Sequence, residues 1–173
     1  MSNTKPLIQA GLLLLVMVAA IAGTWYYAKR ELRTRDVEDT LQPMAALLEE
    51  DRRILSDLKV EGLADSDSVL LDTYLARIRA DSVPKHATTT HAIDALANNN
   101  TAIVTLLERY VPRARTPAFQ AAAGQFRDYA TEFRDRWQSV FETFMAGGNL
   151  PAAGTAFPPS FAAALAAERS ALE

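Results

Sequence analysis

Phe119, Phe126, Phe133 and Val140 recur every seventh residue, and Ala122, Tyr129, Trp137 and Phe144 fill the positions between them. A seven-residue period gathers these side chains on one side of an α-helix, whereas a strand would send alternate residues to opposite faces. An aromatic stripe this long is stable only when other helices cover it, so the segment predicts a bundle seam. Thr116 is a capping residue, Pro117 suits the first helical position, and Gly147-Gly148 ends the segment. The expected bundle core is therefore Phe119, Phe126, Tyr129, Phe133, Trp137, Val140 and Phe144.

Three earlier segments carry helical stripes of their own. Val37, Leu41, Met44, Leu48, Leu55 and Leu58 recur at three- and four-residue steps, with Asp51 on the same stripe. Pro43 cannot donate to the carbonyl of residue 39, so either the chain kinks near Asp39 or a new helix starts at Thr40. Gly62 suits a C-terminal cap. The "ADSDS" run at 64–68 is rich in capping residues and opens a second helix with Leu70, Tyr74 and Ile78 inward, ended by Val83-Pro84. A third helix over His86 to Tyr110 buries Ile93, Leu96, Ile103 and Leu107 and stops at Pro112. Four such helices predict an all-α fold with an antiparallel four-helix bundle over 29–148. The opposing arrangement is two helical hairpins that complete their core only against a partner.

The N-terminal stretch raises a different expectation. From Leu7 to Gly23 no side chain is ionisable, and Trp25, Tyr26 and Tyr27 are followed by Lys29 and Arg30. A membrane span takes roughly 20 apolar residues, and aromatic rings followed by cations suit the lipid–water interface. The sequence-based expectation is a single transmembrane helix over 1–28, anchored at Trp25, Tyr26, Tyr27, Lys29 and Arg30. The competing reading is a cleaved leader, with Lys5 as its charged start and Ala20-Ile21-Ala22 as its cleavage site. The cations after the span argue for a cytoplasmic domain, and the export-like leader argues for a periplasmic one. The expected location is the bacterial inner membrane, single-pass, with the periplasmic side favoured. Gly11 and Gly23, among alanines, would let a second membrane helix approach closely.

Residues 149–173 form a Pro- and Ala-rich tail. Leu150-Pro151 and Phe157-Pro158-Pro159 should be extended, after which Ser160 can cap a short helix with Phe161, Leu165 and Leu172 on its apolar edge. A short Ala-rich helix is marginal alone and must dock on something. Phe157 and Phe161 are candidate partner contacts, or they fold back on their own bundle.

Chemistry-bearing motifs are sparse. His86 and His91, the only histidines, are five residues apart and so do not share a helix face, which argues against a metal clamp. Asn98-Asn99-Asn100 interrupts a helix, with Asn100 expected to make one buried hydrogen bond. Asp51 is expected at a helix edge, paired with an arginine. In "RDYATEFRDRW", Glu132 and Arg136 are spaced for a surface pair. No catalytic triad, phosphate-cradling glycine loop or cofactor motif is present, so neither an enzyme nor a cofactor is expected.

In 173 residues there is room for one compact domain beyond the leader, and the absence of cysteine excludes disulfides and thiolate sites. The net charge of -3 argues against a nucleic-acid partner, since phosphate neutralisation needs clustered Lys and Arg. The expected function is a non-catalytic, membrane-anchored accessory or assembly subunit of a bacterial envelope complex. Its expected partners are membrane lipid and other membrane or envelope proteins, possibly a second copy of itself. The alternatives are a periplasmic ligand-sensing bundle and a cleaved, soluble periplasmic binding protein.

Overall fold

Pro43 shapes the first half of the molecule. Lacking an N–H, it cannot close the helical bond to Asp39, and the ladder widens there into a π-helical turn over Val37–Leu41. The Gln42 N–H donates to the Val37 carbonyl, five residues back. The helix therefore passes through Pro43 rather than restarting: α1 (Thr4–Asp36) leads through the π turn into α2 (Gln42–Val60).

The computed structural model describes residues 4–60, 62, 67–80 and 87–172 (side chains of 4–12, 67, 68 and 87 excepted), and every regular element among them is helical. After α2 come α3 (Asp67–Ala80), α4 (Ala87–Tyr110), α5 (Pro117–Ala146) and α6 (Ser160–Ser170). A 3-10 turn over Val111–Arg113 makes the connection at Pro112. Gly62 and Gly147 end α2 and α5 with φ of +72° and +66°, a left-handed cap that a side chain rarely adopts. The capping run at 64–66 and the Val83-Pro84 stop lie outside the described residues.

A helical bundle is what the segments build. One core cluster takes Leu41, Met44 and Leu58 from the π turn and α2, Tyr74 and Ile78 from α3, Ile93 and Leu107 from α4, and the α5 seam. Helix α2 packs on α4 and α4 on α5, each pair antiparallel: Asp51 meets Asn99 while Leu58 lines a hollow with Thr89, and Asp94 meets Trp137 while Tyr110 meets Phe119. Simple alternation of direction stops there. Asp72 meets Arg136 while Arg79 reaches Thr143 and Gly148, so α3 runs parallel to α5. Arg77 also donates to the Gly62 carbonyl, which puts the end of α3 beside the end of α2. Helices α2 and α3 thus point the same way.

The flank of α5 is divided between two short helices. Helix α3 covers its C-terminal half, and α6 covers its N-terminal half, where Phe161 stacks on Phe126 at 4.5 Å and on Phe119 at 6.1 Å. Helix α6 also touches α2 and the π turn. The tail helix is thereby part of the core rather than an appendage. Ser160 is its first helical residue, not its cap, because the Phe161 N–H bonds to the Pro158 carbonyl.

The expectation of a transmembrane helix is corrected. Among the described residues, no helix is long and apolar enough to cross a membrane. Past Ile21 the helix is diluted by Gly23, Thr24, Tyr26 and Tyr27, and it turns charged at Lys29 and Arg30. The single-pass inner-membrane location, and with it the choice of a periplasmic side, loses its footing.

Candidate interaction surface

Among the described residues, the longest run of exposed apolar side chains lies on helix α1, whereas Val60, Val69, Phe141 and Met145 are exposed elsewhere. Leu13, Leu14, Leu15, Val16, Met17 and Val18 are each 58% to 71% exposed, as are Ile21, Trp25, Tyr26 and Tyr27. Successive residues turn about 100° around a helix, so six in a row circle the rod completely. No face of it packs on the bundle. Arg113 clamps the base of the rod through Asp36 at 2.8 Å. Above that, Lys29 lies 4.8 Å from the Trp25 ring, and Tyr26 and Tyr27 meet edge to face.

The five residues assigned to a lipid interface, Trp25, Tyr26, Tyr27, Lys29 and Arg30, all lie exposed on this rod. Gly23 is on it too, with open space where a side chain would be; the surroundings of Gly11 lie outside the described residues. On α5, Phe119, Phe126, Tyr129, Phe133, Trp137 and Val140 are buried, while Phe144 is only half-buried at the helix end. Phe161 is fully buried in the core, and Phe157, half-buried, sits edge-on against Tyr129 at 5.3 Å.

The polar groups of the bundle hold the chain to itself. Glu168, wholly buried on α6, accepts the Tyr110 hydroxyl at 2.7 Å, the Arg115 N–H at 2.6 Å, and both the N–H and hydroxyl of Thr116 at 2.8 and 2.6 Å. The Thr116 oxygen in turn accepts the Phe119 N–H and caps α5. Burial pushes the Glu168 carboxyl up, but its four donors outweigh that and hold it below the usual carboxylate range. Burial and the facing carboxylate push the Tyr110 phenol well above its ordinary value.

A second set of bonds straps the tail to α5. Glu132 accepts the backbone N–H groups of Gly154 and Thr155, and the Gly154 N–H is the main cause of its lowered pKa. Arg136, buried, donates to the Pro151 carbonyl at 3.1 Å and to Asp72 at 3.0 Å. The surface pair expected of Glu132 and Arg136 is thus redirected to the strap and to α3. Asp51 is also placed differently from the edge position expected of it. It is buried and accepts from Asn99 at 2.8 Å, while Arg52 and Arg53 pair with Glu49 and Glu50. The buried bond read into Asn100 is made by its neighbour, although Asn100 is itself buried.

His91 is exposed on α4, and His86 lies outside the described residues. Sequence reasoning passed over Glu168, although a signal was there. It lies three residues after Leu165 and seven after Phe161, an acid on the apolar edge of an Ala-rich helix.

Comparison with protein-family models, with curated proteins and with solved structures finds no match for this chain.

Proposed function

We propose that this protein is a non-catalytic helical subunit that works through protein–protein contacts, with α1 as the contact element. The observation that carries this reading is the ring of exposed apolar side chains from Leu13 to Val18, which no described element covers. Contiguous exposed apolar surface beyond a few hundred Å² marks an interaction site, because burying it releases about 25 cal/mol per Å². An amphipathic helix would lie in a groove with one face wet. This rod has no wet face until Lys29, so its occupant is a partner with apolar helices that enclose it on more than one side. Phe161 lies within the chain's own core and Phe157 packs against it, whereas the run on α1 is exposed and supports an accessory or assembly role.

Photo-crosslinking within the producing cell tests the reading. A photoreactive residue at Leu15 or Ile21 should label one defined partner protein, and the same residue at Arg52 should not. A chain that stays monomeric and gives no adduct from either α1 position removes the proposal.

A further inference from the structure

Where α1 enters the π turn, its inner side and Leu172, just beyond α6, border a cleft of about 600 Å³. Lys29, Arg30 and Arg33 all line it, and Arg33 lies four residues after Lys29 and three after Arg30, so its guanidinium neighbours both other cations along the helix. The nearby acids of α1 are engaged elsewhere: Glu31 pairs with Arg35, and Asp36 with Arg113. Among the described residues, no carboxylate forms an ion pair with Lys29, Arg30 or Arg33. The Arg33 Nε is buried and has no hydrogen-bond partner. A buried donor that lacks an acceptor is costly, so the Arg33 guanidinium is under-bonded where it borders the cleft.

We propose that this cleft binds a small organic phosphate monoester. Charge decides between anions: among the described lining residues, three cations stand against one acid, Glu38, a surplus of two positive charges. A phosphate monoester carries about -1.5 to -2 near neutral pH and matches that surplus, whereas a lone carboxylate would leave one cation unanswered. Guanidinium groups give the planar, forked donors that phosphate oxygens accept. The Tyr26 ring, Val37 and Leu172 line the same cleft and give the organic substituent an apolar wall. This site does not depend on the partner-contact role of α1, because its residues face the bundle end of the rod.

Isothermal titration of the full chain at low ionic strength separates the possibilities, with phenyl phosphate, inorganic phosphate and acetate as probes. Phenyl phosphate should bind saturably and about tenfold tighter than inorganic phosphate, the difference being the buried ring. Arg33→Gln and Arg30→Gln should each weaken it about tenfold, and Arg52→Gln on the exposed face of α2 should not. Arg30 is exposed, so its variant keeps the test intact should Arg33→Gln fail to fold. Absence of saturable binding overturns the site, as does acetate binding as tightly as phosphate or indifference to both arginine variants. Equal affinity for the two phosphates overturns the assignment of an ester.

Discussion

Helices α1 and α6 begin from opposite prospects and end in opposite places. Helix α1 has 33 residues and is rich in Leu, Val and Ile, yet from Leu13 to Tyr27 it packs on nothing in the chain. Helix α6 has 11 residues and is mostly alanine, yet Phe161, Ala164, Leu165 and Glu168 are all buried. Apolar content therefore does not decide which helix joins the core. What α6 has is one apolar edge, matched to the aromatic seam of α5, and one acid aimed at donors in the α4–α5 connection. A helix apolar on every side has no orientation that satisfies both the bundle and water. A helix with a single good edge has one.

Four measurements break or sharpen this contrast. Phe161→Ala should have the largest effect, lowering unfolding stability by about 3–5 kcal/mol, since it empties a ring stacked between Phe126 and Phe119. Chemical denaturation reads it, and a loss below about 1 kcal/mol would mean that α6 is not part of the core.

Glu168→Gln comes next, at about 2–4 kcal/mol, because an amide offers hydrogens where the Tyr110, Arg115 and Thr116 donors need an acceptor. The same contact has a pH signature. Its carboxyl is held below its ordinary value in the folded state, so its stabilisation is full above the unfolded pKa of about 4.3 and fades as pH falls through the folded pKa. Stability of the native chain should thus drop below about pH 4 more steeply than that of the Gln variant. Parallel slopes would show that the carboxylate does not hold the lock.

Glu132→Gln loosens only the strap and should lower stability by about 0.5–1 kcal/mol, with faster hydrogen exchange at the Gly154 and Thr155 amides. Leu15→Ala should change folding stability least, within about 0.5 kcal/mol, because that side chain contacts no part of the bundle. A larger loss in the isolated chain would show that α1 packs on the core in solution.

The seam of α5 was legible because its period is long and its residues bulky. Phe119, Phe126 and Phe133 leave a helix no choice about which side to bury, and the cap at Thr116 follows from local chemistry alone. Pro43 was legible only as a pair of alternatives. A missing N–H says that a bond is lost, but whether the chain restarts or widens into a π turn depends on what Thr40 and Leu41 pack against, and both are buried. The direction of α3 was hidden for another reason. Alternating helix directions follow from short connections, but the bonds from Arg136 to Asp72 and from Arg77 to Gly62 tie α3 parallel to both neighbours. The N-terminal stretch misled by its hydropathy, since length and composition suggested a span that the described helix does not complete.

By itself the sequence determined that this chain is helical, where the main seam lies, and that Gly62, Pro112 and Gly147 stand where α2, α4 and α5 stop. Those properties rest on backbone chemistry and on side chains within a few turns of one another. Only the tertiary structure decided that Glu168 is a buried lock, that Glu132 and Arg136 hold a strap, and that the Arg33 Nε is buried without an acceptor. Each of these depends on groups distant in sequence meeting within hydrogen-bond reach, or failing to meet, and no local periodicity encodes that distance.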